Sequence, residues 1–492
     1  LLDGIFEHPA RGFSWYTTCA DLQNSRISTS LSVSCQKEDS MVRLTCRPLA
    51  FLISGYSWLL LSSLVGLGIL LGLVHGTALP TWLRLVHVHA TLIGGILQLV
   101  IGGLLASLST NPQIGRPLSP SHPGLFIALN VATVGLLVGL GLGNMMVVGA
   151  AGIIVIGAVA SIARVAWQYG SQSLTQPADT PWLYRFSLVA LLAGLVIGVS
   201  MAFRLIPEYY AHARLLHLHV ILMGFIVMAM IGATQQFLPI ILNTTLYSPR
   251  LARLVSVVLP AGFIILVGGF VTSSLYLELA IGGLLVFGIG LYAYNLLRTW
   301  MDSGHPGNAA SDHLLIATFF LVLMMIMGVL VGANYSHQSP TLLFGSLQLA
   351  AYTHMALIGF ILQTVFAAVS HGIPELLVTD RITSRKEQGP YHAQLVVIMN
   401  RWRAVQLTGL SLGTMGFGLL AAMAWNFPLG SLPLQIATWV TVGLLLSSLT
   451  LFAVKLTWAL GVHPSDRSAS SLAEEEAFHQ PLKRAVGMTN KR

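Results

Sequence analysis

Charge is what this sequence has least of. Only 9% of its 492 residues are Asp, Glu, Lys or Arg and 55% are hydrophobic, whereas a soluble domain carries about a quarter charged residues. A water-soluble globular fold is excluded. The net charge of +8 calls for no nucleic acid, because cytoplasmic loops of membrane proteins retain basic residues. Cysteine is equally scarce. Cys19, Cys35 and Cys46 have no metal-cage spacing and precede the first apolar run, so they define neither a disulfide framework nor a cysteine metal site. Carboxylates are missing from the middles of the apolar runs, Glu278 lying near one end of its run, and the run at 251–274 contains no histidine.

What is abundant is apolar sequence in lengths that cross a bilayer, for which a helix needs about 20 residues. Twelve spans are predicted: 49–74, 80–108, 124–143, 146–168, 183–204, 212–240, 251–274, 276–299, 313–334, 342–372, 404–425 and 432–459. The fold class is an all-α polytopic membrane protein in three pseudo-repeated four-helix units. Residues 1–44 are polar, Ser/Thr-rich and without a signal-peptide pattern. With Met41 followed by Arg43 and Arg47 resembling a natural start, they read as a disordered or non-native extension. Residues 45–462 form the membrane domain, and 463–492, with Glu474 to Glu476 beside Lys483 and Arg484, read as a solvated cytoplasmic tail.

Lys and Arg set the orientation. Arg43 and Arg47 precede the first span, and the even-numbered connections carry Arg116, Arg164 and Arg185, Arg250 and Arg253, Arg298, and the group Arg381, Arg385, Lys386, Arg401 and Arg403. Among the odd-numbered connections only the fifth, with Arg204 and Arg214, is basic. Both termini are therefore expected in the cytoplasm of a bacterial or archaeal cell. The 376–402 connection reads as a solvated loop, and His313 as a loop-edge residue with no role.

Three stretches share one register. RLVHVHATLIG (84–94), RLLHLHVILMG (214–224) and LAAYTHMALIG (349–359) align His89, His219 and His354, each followed five residues later by a glycine. The intervals, 130 and 135 residues, mark repeated architecture. These motifs open the second, sixth and tenth spans, toward the outer face. Histidine inside an apolar span is a functional-site hypothesis by default, and five at equivalent positions weigh against ordinary packing. Two residues apart on a helix is roughly 200° around the axis, so one HxH serves two cavities and cannot chelate one metal. Imidazole is an axial ligand of b-type haem. Arg84 and Arg214, one turn away, suit its propionates, or else snorkel to the interface. Gly94, Gly224 and Gly359 admit either a flat ligand or a neighbouring helix, their common register favouring the ligand.

Twelve helices in three arcs, with histidines on the second, sixth and tenth, resemble the catalytic subunit of the haem–copper oxidase superfamily, in the branch of C-type cytochrome oxidases and nitric oxide reductases. RLVH resembles that branch's Arg-x-x-His, whose histidine binds the low-spin haem. YTHMALIG resembles the tenth-helix HxH, whose second histidine binds the same haem. His219 with Pro239 is similar to the segment beginning with a copper-binding histidine. Tyr352 stands where the family's high-spin haem ligand is expected, and the seventh span lacks its copper histidines, so the binuclear centre is not recognisable and His219 marks at most a vestigial copper position.

Placing His87 and His354 in one pocket by this resemblance, threefold rotation puts His89 with His217 and leaves His219 facing Tyr352. The opposite assignment of faces gives His87/His219 and His217/His354. The expectation is one haem b at His87/His354, with His89/His217 the candidate for a second. Such a chain serves as a haem-binding electron-transfer subunit of a respiratory complex, partnered in the bilayer or at the outer face by a cytochrome c or another redox subunit. The alternatives are an active nitric oxide or oxygen reductase, an NnrS-like haem–copper module, and a haem-free transporter.

Overall fold

The computed structural model describes residues 48–109, 123–169, 180–304, 307–335, 345–382 and 384–464, all within one compact unit, Leu44–Arg492. Twelve of its helices are long and apolar enough to cross a membrane. They are α1 (Pro48–Val74), α2 (Thr81–Ala106), α3 (Gly124–Gly141), α4 (Met145–Trp167), α5 (Trp182–Ala202) and α6 (Pro207–Ile241). After them come α7 (Pro249–Thr272), α8 (Leu275–Asp302), α9 (Ala309–Asn334) and α10 (Ser346–Arg381), then α12 (Arg403–Met423) and α13 (Leu432–Gly461). Between α10 and α12 lies α11 (Arg385–Asn400). No strand occurs among the described residues. This is an all-α integral membrane protein.

The breaks between spans have local causes. Lipid satisfies no backbone polar group, so chain reversals are tight and internally bonded. Gly143, at φ +67, turns the chain from α3 into α4 in a conformation that glycine adopts without steric penalty. Ser273, left-handed at φ 53, does the same between α7 and α8, where the Ser274 hydroxyl accepts from the Leu277 amide at 3.4 Å.

Burial sorts the spans into two populations. In their most apolar stretches α2, α6 and α10 are 56%, 61% and 67% buried, whereas the other nine range from 22% to 50%. The three helices carrying the histidine motifs are therefore the interior. Around them α3, α4 and α5 pack in sequence, as do α7, α8 and α9, and α12 with α13. The ring is closed by Ser54 of α1 bonding Asn130 of α3 at 3.0 Å, by Phe186 of α5 edge-on to Phe263 of α7, by α9 on α12, and by Tyr56 of α1 donating to the Leu449 carbonyl of α13 at 3.1 Å. Exposed side chains such as Leu61, Ile127, Val196, Phe287 and Val440 face outward, as a lipid-facing surface requires.

The 376–402 segment is not a solvated loop. Helix α10 continues to Arg381, and α11 buries Tyr391, Leu395, Ile398 and Met399. Those four recur at helical spacing and give α11 an apolar stripe. The N-terminal extension and the 463–492 tail fall outside the described residues, apart from His463 and Pro464.

Candidate functional site

Each motif helix changes its winding at the same point. Immediately after His89, His219 and His354 come eight-residue π-helical segments, Ala90–Leu97, Val220–Val227 and Met355–Leu362. Such widened turns are uncommon and concentrate at functional sites. They run through sequence that is apolar except for Thr91, so no periodicity announces them; only the shared register of the three motifs marks the place.

The imidazoles fall into two classes by hydrogen bond. His89, His219 and His354 each donate from Nδ1 to the carbonyl one turn back on their own helix: Leu85 at 2.8 Å, Leu215 at 2.9 Å and Ala350 at 2.7 Å. His87 and His217 donate instead to a neighbouring helix, to Ser62 of α1 and Gly194 of α5, both at 2.8 Å. A carbonyl only accepts, so Nδ1 carries a proton in all five rings, and in the neutral ring Nε2 keeps its lone pair. This is the tautomer that a metal-binding imidazole adopts when its other nitrogen is held by the backbone.

The rings also have matched supports. A Cβ at Gly66 would lie 2.5 Å from His87 Cε1, and one at Gly198 2.8 Å from His217 Cε1. A Cβ at Gly328 would lie 3.0 Å from the Tyr352 hydroxyl. Tyr352 thus occupies in α10 the place that His87 and His217 occupy in α2 and α6.

His87 and His354 come together. Their ring planes are 9° from parallel with centroids 6.3 Å apart. That is too far for ring contact. Two metal–imidazole bonds of about 2 Å each, with roughly 1 Å from each nitrogen to its ring centre, span about the same distance. Both rings line a partly open cleft whose other walls are Leu59, Leu67, Leu357, Ile361, Leu410, Phe417 and Leu449. An apolar lining with few convergent polar groups is characteristic of cofactor pockets. Phe417 stacks on His354 at 4.4 Å and fixes its plane. Ser62 and Thr91 both donate to the His87 carbonyl, at 2.8 and 2.9 Å.

The remaining predicted residues are placed as follows. His89 and His217 lie near enough to interact electrostatically. The His219 ring lies 4.5 Å from that of Phe270. Arg84 and Arg214 are exposed. Among the described residues no group of three or more His, Cys, Asp or Glu side chains forms a metal cage.

Two expectations are corrected. The motif glycines do not face a ligand: a Cβ at Gly94 would strike Trp58, at Gly224 Phe263 and Ala190, and at Gly359 Phe320. They admit aromatic side chains of the surrounding helices, the close packing that small residues provide in membranes. His313 is not at a loop edge but inside α9, 1% exposed, bonded to Gln363 and Gln406. A buried Lys455 completes that cluster. The signal available was Lys455 itself, a charge inside an apolar span.

No protein-family model matches the chain, and no curated protein matches it.

Proposed function

We propose that this protein is a haem b-binding electron-transfer subunit of a membrane respiratory complex, with His87 and His354 as the two axial ligands. The observation that carries the reading is the parallel pair itself: two imidazoles 6.3 Å apart, each with Nδ1 bonded to a backbone carbonyl, at one apolar cleft. The fit is chemical as well as spatial. Two neutral nitrogen donors are all that a porphyrin-bound iron needs from the protein, so the absence of a larger ligand cluster does not count against it. When bound, the haem supplies a one-electron ferric/ferrous couple.

The chain's own groups hold and insulate. Ser62 and Ala350 fix the two imidazoles, Gly66 and Phe417 set their planes, and the leucine and isoleucine walls keep water from the metal. Arg84 and Arg214, at the mouths of α2 and α6, are the proposed propionate partners. His89 and His217 are the proposed second pair, and the two classes of histidine hydrogen bond support three pseudo-repeated units. The basic connections support cytoplasmic termini and haem sites toward the outer face, where a cytochrome c or other redox partner would dock.

Pyridine haemochrome assays and reduced-minus-oxidised spectra of purified protein test this. The expected outcome is at least one b-type haem per chain with low-spin spectra that carbon monoxide leaves unchanged, since two histidines fill both axial positions. A haem-free preparation overturns the proposal. A large carbon monoxide shift replaces it with the reductase reading.

A further inference from the structure

Among α9, α10, α12 and α13, beyond the third histidine motif, lies a buried polar chain. Lys455 has no exposed surface, and its Nζ donates to Gln406 Oε1 at 2.5 Å. Gln406 Nε2 donates to His313 Nε2 at 3.4 Å, the Nδ1–H of His313 donates to Gln363 Oε1, and Gln363 Nε2 donates to Ser411 Oγ at 3.2 Å. His313, Gln363 and Gln406 are each 1% exposed or less. Every donor points away from Lys455, so the chain is polarised from the amine toward Ser411, and such aligned bonds reinforce one another.

The chain lies near both a part-exposed carboxylate and the cofactor cleft. Asp312, next to His313 in sequence, is part-exposed and ion-paired with Arg403 at 3.6 Å. At its inner end Leu410 and Val365, which line the cleft, stand beside Ser411 and Gln363 in the chain. Leu449, also in that lining, lies six residues before Lys455, a rise of about 9 Å along α13. No carboxylate meets Lys455 among the described residues. The ionisable groups presented by the elements packed on α13 are few. They are His313 through Gln406, Tyr56 of α1 on the Leu449 carbonyl, Arg381 and Tyr391 on the carbonyls at the helix end, and Arg401 over the Trp458 ring at 5.1 Å. Arg403 of α12 is occupied by Asp312 and Gly307.

A buried cation without a counter-charge is costly. A negative charge arriving in the adjacent cleft lowers that cost, and in a low-dielectric interior the interaction is felt over such distances. We infer that Lys455, with Gln406 and His313, is a proton-exchange site whose occupancy follows the redox state of the His87/His354 cleft. Were a one-electron donor protein to reduce a haem held there, the Lys455 amine would take up one proton from bulk water. On reoxidation the ammonium would return it. The inference rests on the haem reading above.

The test is a spectroelectrochemical titration of the purified full chain from about pH 6 to about pH 9, the range into which burial moves lysines and histidines. Protonation favours the reduced form, so the midpoint potential falls as pH rises, by up to about 59 mV per pH unit where one proton accompanies one electron. Lys455→Met and His313→Gln flatten that slope while haem content and spectra stay at the native level. If Lys455→Met fails to accumulate, His313→Gln carries the comparison. A haem-replete native protein with a pH-independent midpoint, or variants with the native slope, overturns the proton site and leaves the haem assignment standing. A haem-free preparation overturns the haem assignment and the coupling with it.

Discussion

Gly66 of α1 and the imidazole of His87 are in direct contact, with room for a hydrogen and no room for a methyl: a Cβ at Gly66 would lie 2.5 Å from Cε1 and 2.9 Å from Nε2. The ring cannot swing aside freely, because Nδ1 is tied to the Ser62 carbonyl at 2.8 Å. Gly66→Ala is therefore expected to misalign the imidazole and weaken haem retention by about 10- to 100-fold, the usual scale for disturbing a ligand's support. Gly68→Ala is the control, since nothing lies within 4 Å of a Cβ there. Haem-to-protein ratios of the two purified variants check this, and equal ratios would show that Gly66 does not position the ring.

The two assignments of motif faces to pockets make opposite predictions for His219. With His87 opposite His354 at 6.3 Å and His219 against Phe270 at 4.5 Å, His87→Ala and His354→Ala each abolish the same haem signal, while His219→Ala leaves it intact. Low-temperature spectra of the three variants decide the matter. Loss of that signal in His219→Ala would favour the pairing of His87 with His219.

How far the sequence reached is visible in these same residues. Twelve spans were readable because bilayer thickness dictates their length, and His89, His219 and His354 stood out because they share a register. Which faces pair was not readable. An HxH presents two directions about 200° apart, and only the rotation of each helix in the bundle chooses between them. The π segments after each motif were hidden in stretches apolar on almost every side. The glycines were misjudged because small residues serve ligands and neighbouring helices alike, and contacts with Trp58, Phe263 and Phe320 separate the two. By contrast Tyr391, Leu395, Ile398 and Met399 carried a legible helical stripe, masked by the charged residues around them. Lys455 needed no structure to be noticed, but its partners Gln406 and His313 come from α12 and α9 and no spacing in the chain connects them.

One cation ties α11 to the ends of two spans. Arg381 donates to the Val462 carbonyl at 2.6 Å, the Leu460 carbonyl at 2.8 Å and the Tyr391 hydroxyl at 2.9 Å, joining the ends of α10 and α13 to α11. Hydrogen bonds from charged groups contribute about 1.5–3 kcal/mol each, and part-exposure places the total loss near the lower figure. Arg381→Ala is expected to lower the thermal midpoint in detergent by several degrees and to expose α11 to proteolysis, with haem content unchanged. Native stability and protease resistance in this variant would show that α11 is held by its apolar stripe alone.

Whether the chain holds a second haem turns on His217. Its ring repeats that of His87 in each local respect: Nδ1 bonded to a neighbouring helix at 2.8 Å, here the Gly194 carbonyl, and an edge laid against a glycine, here Gly198. His89 lies within electrostatic reach of it, and the two stand in α6 and α2 as His87 and His354 stand in α2 and α10. The third position is broken by Tyr352, whose hydroxyl meets Gly328 and offers no neutral nitrogen. Two b-haems per chain are therefore expected in the native protein and one in His217→Ala or His89→Ala, with the His87/His354 signal retained. Gly198→Ala should mimic His217→Ala, because it crowds the ring without removing the ligand. A native preparation with one haem, undiminished in all three variants, would assign the His89/His217 pair to packing and leave a single electron carrier in the bundle.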